Sequence, residues 1–271
     1  MIEMLLFSSA TILVVFGLRL LFRNKVKSSL IYSLWLPAAL FLLLPIPWGA
    51  WELFSCNRFT QIPVWRFTLG QLVILVWLAG AAAVGMWLVA ANLSFQKLLK
   101  SNAEPFHCPQ SPVPVWVSDQ ITAPCLYGLV HPMIYLTPEC AADEEERIHV
   151  LTHELTHWQH KDPFWSFLRC LCLCVYWFHP LVWLAVQVSR QDSELACDEG
   201  ALHRLGDAQR SAYGKTVVDL AASSVLKTGA QIICAPESKV PEPKAENRFA
   251  VPVLAACAVV LGLILMVLAL G

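Results

Sequence analysis

Residues 153–157 read His-Glu-Leu-Thr-His. On a helix, positions four apart lie on one face. His153 and His157 can therefore hold one zinc ion, with Glu154 between them placed to reach a water at the metal. That is the chemistry of metal-assisted hydrolysis with a carboxylate as general base. A catalytic zinc needs a third protein ligand and an open position. The stretch Glu194-Leu195-Ala196-Cys197-Asp198 offers two acids one turn apart. Glu194 suits the third ligand, and Asp198 suits an acceptor that fixes the tautomer of a ligand imidazole. Either motif alone also has a plain reading, as a solvated face with incidental histidines or an acidic stripe. Together they favour one zinc per chain. A hydrolytic site further needs a donor for developing oxyanion charge. His203, Tyr213 and Arg190 are candidates, and no spacing rule selects among them. His149, one turn before His153, reads as a helix-surface residue, and His160 and Lys161 as facing solvent or headgroups.

These residues need helices to carry them. Thr137-Pro138-Glu139 opens a helix, Asp143 to Glu146 continue it with acid near its positive end, and it runs to about Lys161. Ile148, Leu151, Leu155 and Trp158 give it a packing face. A second helix runs from Pro180 to about Leu205 and stops at Gly206. Asp207 caps a third that reaches about Lys227. Upstream, residues 101–112 form a polar loop with three prolines, Pro114–Val117 a short strand, and Ala123–Leu136 a hairpin around Gly128 and Pro132. Residues 228–247 read as a linker.

The composition places this polar portion at a membrane. Only 14% of the 271 residues are charged and 57% are apolar, where a soluble domain carries roughly 25% charged residues. With 11 Trp and 13 Phe the chain is no disordered segment, and a net charge of −1 gives no basic field for nucleic acid. Four apolar runs are long enough to cross a bilayer: Met4–Phe22, Leu30–Trp48, Leu69–Leu93 and Phe249–Leu270. The first does not read as a cleavable signal: its early charge is the acidic Glu3, its basic residues lie at or beyond its far end, and the stretch is long. Basic clusters at residues 23–27, 97–100 and 244–248 face the cytoplasm if both termini lie outside. His157 and Glu194 can then share a metal only if the apolar stretch 163–189 enters and returns without crossing. The His179–Pro180 break permits that. The fold expected is an α+β membrane protein, mainly helical. Residues 1–100 form a three-span region, 101–248 a cytoplasmic zincin-type, gluzincin-like domain with a membrane-embedded hairpin near 163–189, and 249–271 the final span. Single-cysteine probes at Ser101, Asp162 and Gln209 should label from the cytoplasm and one at Thr60 from outside. Of ten cysteines only Cys56 falls in an external loop, so no disulfide framework is expected. Cys170, Cys172 and Cys174 read as packing residues.

HELTH at 153–157, YWFHPLVW at 176–183, RQDSELACDEGAL at 190–202 and APCLYGLVHPMIYLTPE at 123–139 resemble the integral-membrane zinc metallopeptidases of the BlaR/MecR beta-lactam sensor-transducer class. The resemblance implies zinc ligation by His153, His157 and Glu194, Glu154 as base and Asp198 behind the ligands. It also implies cleavage of a cytoplasmic protein such as a transcriptional repressor, or of the chain itself. The family's large external penicillin-binding sensor has no counterpart before Gly271. The strings Ser94–Lys97, Ser224–Lys227 and Lys227-Thr228-Gly229 read as coincidences. Two other readings stay open: a processing or quality-control membrane protease, and a non-catalytic receptor or scaffold with a structural zinc. The partners expected are a protein or peptide substrate on the cytoplasmic side and the bilayer, without nucleic acid. A homodimer is compatible with the sequence.

Overall fold

The computed structural model describes residues 2–22, 25–43, 63–64, 67–109 and 111–227. Helix α1 is Ile2–Phe22, and after a short turn the chain returns as α2, Ser28–Ser33, and α3, Trp35–Leu43. The apolar run beginning at Leu30 is thus two helices and not one. Pro37 explains the restart. It has no N–H to give to a helix continuing through Ser33, whereas in the first turn of a helix starting at Trp35 that N–H would have no partner anyway. The end of this run, Cys56, Thr60, the 228–247 linker and the Phe249–Leu270 run lie outside the described residues. Strands β1, Pro63–Val64, and β2, Phe67–Thr68, form a small antiparallel ribbon. Thr68 and Gln71 then make a reciprocal capping box for α4, Leu69–Lys100. Among the described residues, α4 is the one helix long and apolar enough to cross a bilayer, and Lys97 and Lys100 close it. Its 32 residues extend about 48 Å. Ser94 and Lys97 lie within it.

Four short strands follow: β3 (Glu104–Phe106), β4 (Val115–Val117), β5 (Cys125–Tyr127) and β6 (Met133–Leu136), in the order β3-β4-β6-β5. β3 lies in the stretch expected to be a loop. Glu104 pairs with Val117 and Phe106 with Val115, a non-local partner that local composition does not reveal. β4 and β6 run parallel, and β5 returns antiparallel along β6 with Tyr127 opposite Met133. The turn between β5 and β6 requires Gly128: its φ is +111°, and a Cβ there would stand 2.3 Å from the His131 carbonyl oxygen. β6 is buried on both faces, which is why Met-Ile-Tyr-Leu is continuously apolar. Ile134 and Leu136 pack with Val150 and Leu151 on one face, while Tyr135 packs with Leu99 and Cys125 on the other.

The expected helix from Thr137 to Lys161 is two helices. Thr137 caps α5, Pro138–Ala142, with Pro138 in its first turn. Asp143 then leaves helical geometry, and its carboxylate accepts from the Glu145 and Glu146 amides, starting α6, Glu144–His160. The run of acids therefore stands at a helix N-terminus, where the dipole favours it. Lys161, at φ 59° and ψ 38°, ends α6 in the left-handed conformation. Helix α7, Asp162–Val175, starts at the next residue with Pro163 in its first turn. The chain turns at Tyr176–His179 and comes back as α8, Pro180–Leu205, which ends at Gly206 as expected. A 3₁₀ turn, Asp207–Gln209, delays α9 to Arg210–Lys227.

The apolar halves of α7 and α8 pack with α1 and α3 around Ile12, Trp35, Leu173 and Val182. Cys172 belongs to this core, with Cys170 and Cys174 half-buried. Arg169 faces protein, donating to Ser166 at 2.9 Å and Ser189 at 3.4 Å. The polar half of α8 crosses α6. There a Cβ on Gly200 would lie 2.8 Å from Thr156 Cγ2, so the absence of a side chain sets the spacing of the two helices.

Candidate metal centre

Helix α6 presents His153 and His157 on one face, and α8 presents Glu194 opposite them. His153 Nε2 and His157 Nε2 are 3.0 Å apart, and Glu194 Oε2 is 3.7 Å from each. A triangle with those sides has a point about 2.0 Å from all three atoms, the distance at which zinc binds imidazole nitrogen and carboxylate oxygen.

The groups behind the triangle fix which atoms face it. His157 Nδ1 is held by Asp162 Oδ2. His153 Nδ1 lies 2.9 Å from the Tyr213 hydroxyl, which donates to Asp198 Oδ1 at 2.7 Å. Asp198 Oδ1 is itself 3.4 Å from His153 Nδ1. With both Nδ1 atoms donating backwards, both Nε2 lone pairs point at one place. Two lone pairs and a carboxylate converging there call for a cation between them. The charges agree. Burial disfavours the His157 imidazolium, yet the Glu194 carboxylate and the bonds to Asp162 and Cys197 hold its pKa well above the ordinary histidine value. Burial pushes the Asp162 carboxyl up, and hydrogen bonds from His157, Tyr32 and Ser193 more than offset it, leaving Asp162 below the usual range.

Glu154 is 8% exposed and sits on α6 below β5, where its carboxylate adds to the burial that raises the Cys125 thiol. β5 is the outer strand of the described sheet on that side. The structure thus brings His153, His157, Glu194 and Asp198 together, with Glu154 buried beside His153 on α6. The three oxyanion candidates are placed differently. Tyr213 is buried behind His153, pinned to Asp198, with its ionisation pushed up by burial and by that carboxylate. Arg190 is half-buried one turn before Glu194 on α8. His203 is exposed, nine residues past Glu194 and so on the opposite side of the helix.

Three expectations need correction. His149 is 1% exposed and not on the helix surface: its ring nitrogens meet Thr216 at 2.9 Å and Gln209 at 3.0 Å, docking α9 and the turn before it onto α6. His160 is half-buried, its Nδ1 3.5 Å from Cys197 Sγ. Asp162 is 6% exposed and bound to His157, so it is no labelling position. Its role went unread because it depends on the left-handed joint at Lys161, which folds Asp162 back onto a histidine five residues earlier. The sequence signal was an Asp-Pro helix start immediately after the motif helix. His157, Asp162 and Cys197 form a second convergent group. Burial pushes the Cys197 thiol up to about 12, so it stays protonated at neutral pH and serves as a packed donor to Asp162.

A family model described as BlaR1 peptidase M56 matches residues 57–242. The chain belongs to that family. This M56 member therefore carries a metallopeptidase domain, and the BlaR/MecR resemblance of its motifs holds along most of its length. It is also similar to the methicillin resistance mecR1 proteins of Staphylococcus aureus and Staphylococcus epidermidis. Each is 20% identical over 172 residues, which cover 58% of this chain and 29% of the relative. The M56 chain thus matches less than a third of the length of these curated relatives.

Proposed function

We propose that this chain is a membrane-embedded, zinc-dependent endopeptidase. His153, His157 and Glu194 hold the metal, and Glu154 is the general base. It cleaves a cytoplasmic protein, such as a transcriptional repressor, or the chain itself, in signal transduction. The observation that carries this reading is the convergence of three ligand atoms with a buried carboxylate on the same helix turn. When bound, zinc supplies Lewis acidity that polarises a carbonyl and acidifies a water. The chain's own groups do the rest. Glu154 takes the proton of the attacking water and returns it to the leaving amine. Asp162 holds His157, and Tyr213 with Asp198 holds His153, in the tautomers that keep both Nε2 atoms available. The outer edge of β5, the last strand of the sheet among the described residues, suits an extended peptide added as a strand.

Membership of the M56 family and the apolar helix α4 support a membrane setting. The four-span topology, the cytoplasmic site between the third and fourth spans, and both termini outside remain our proposal from the charge pattern. The likeness of the motifs to the BlaR/MecR sensor-transducer class favours regulation over general protein turnover. The buried Glu154 disfavours a purely structural zinc, which needs no base.

Two variants test the reading. His157→Ala should lose most of the zinc of the purified chain. Glu154→Gln should keep the zinc and lose proteolysis, read by comparing cytoplasmic fragments in cells with and without that change. Full zinc occupancy in the first, or unchanged cleavage in the second, would overturn the assignment.

A further inference from the structure

Tyr32 lies 130 positions from Asp162, yet its hydroxyl donates to Asp162 Oδ1 at 2.6 Å in a buried setting. Around it, the return from α1 to α3 is fastened to α8. The Ser28 amide donates to Glu199 Oε2 at 2.7 Å. Trp35 Nε1 donates to Asp192 Oδ2 at 2.9 Å, and Arg19 Nε reaches both oxygens of the same carboxylate at 2.9 and 3.0 Å. The chain on both sides of Tyr32, at Arg19 and Ser28 before it and at Trp35 after it, is therefore fixed to the helix that carries Glu194. Tyr32, next to the last residue of α2, donates from between those anchors to the carboxylate that holds His157. Ser193, from α8, donates to the other oxygen of Asp162 at 2.9 Å. The two hydroxyls leave Asp162 one orientation, with Oδ2 on His157 Nδ1.

We propose that Tyr32 is a positioning residue for the metal centre: it fixes Asp162 against His157, so that the segment joining α1 to α3 sets how tightly the metal is held. This rests on the reading of His153, His157 and Glu194 as ligands. Losing a direct partner of a metal-bound histidine costs about 10–100-fold in affinity. Tyr32 stands one contact further out, so a smaller effect, roughly 3–10-fold, is expected.

The test is the rate of zinc release from the zinc-loaded 271-residue chain into excess chelator. Tyr32→Phe keeps the ring that packs on Trp165 at 5.5 Å and removes only the hydroxyl. Tyr176→Phe is the control. It removes an equally buried hydroxyl, bonded to the Leu42 carbonyl at 2.9 Å, in the same apolar core but away from Asp162. Release several-fold faster in Tyr32→Phe, and unchanged in Tyr176→Phe, supports the proposal. A wild-type rate in Tyr32→Phe, or equal acceleration in both variants, overturns it and leaves the metallopeptidase reading intact. A wild-type chain that takes up no zinc fails that reading first, and this proposal with it.

Discussion

The Tyr213 hydroxyl stands between His153 Nδ1 and Asp198, 2.9 Å from the first and 2.7 Å from the second. It accepts from the imidazole and donates to the carboxylate, an arrangement that suits action through the ligand. Tyr213→Phe should weaken zinc binding by about tenfold, with hydrolysis restored by added zinc. Chelator competition and the turnover of the fully loaded enzyme check this. Normal zinc affinity with a large fall in kcat would mean that Tyr213 donates to the oxyanion instead.

In the metal-free chain, the raised pKa of His157 has a consequence for stability. A base held above its unfolded value contributes stability that is complete below that value and lost as pH rises through the folded one. Asp162 is depressed, and its contribution changes only in acid, outside this window. The metal-free protein should therefore lose thermal stability as pH rises above about 6.5, and His157→Gln should flatten that slope. Zinc-loaded protein should instead gain over the same range, because protons no longer compete for the ligands. Melting curves with and without chelator decide. A metal-free midpoint that climbs with pH contradicts the electrostatics described.

Gly200→Ala should cost about 1–3 kcal/mol by overpacking and loosen the metal as well. Its Cβ would press on Thr156, which is fully buried and bonded to the Thr152 carbonyl at 2.7 Å. Thr156→Ser deletes the clashing methyl and keeps the hydroxyl, so the double variant should recover most of the loss. Denaturation and zinc titration of the four forms measure the coupling. Strict additivity would show that the two residues do not set the helix spacing.

For topology, single cysteines at Ser101, Lys161 and Gln209 should all react from the cytoplasmic side. Lys161 is exposed and takes the place of its buried neighbour. Labelling of Lys161 and Gln209 from opposite faces is incompatible with one metal shared by α6 and α8.

Much of the site was legible because it is written in helical spacing. Two histidines four apart, and a Pro start and Gly stop for α8, are local signals. Tyr32, Asp162 and the role of Tyr213 are not local. They depend on one left-handed residue at Lys161 and on His149 docking α9 onto α6, neither of which a hydrophobic pattern records. The same holds for β3, three residues that include a proline and become a strand only because β4 lies beside them. The break at Leu34 could have been read from Pro37, whose missing donor suits a first turn better than a helix interior.

Cys197 is fully buried on α8 and lies 3.2 Å from His157 Nδ1. No reagent can reach its sulfur while α6 and α8 stay together. Its alkylation in a chain with the other cysteines replaced would therefore clock the separation of the two metal-bearing helices. Whatever signal loosens or tightens this protein could be followed at that one sulfur, with no substrate in hand.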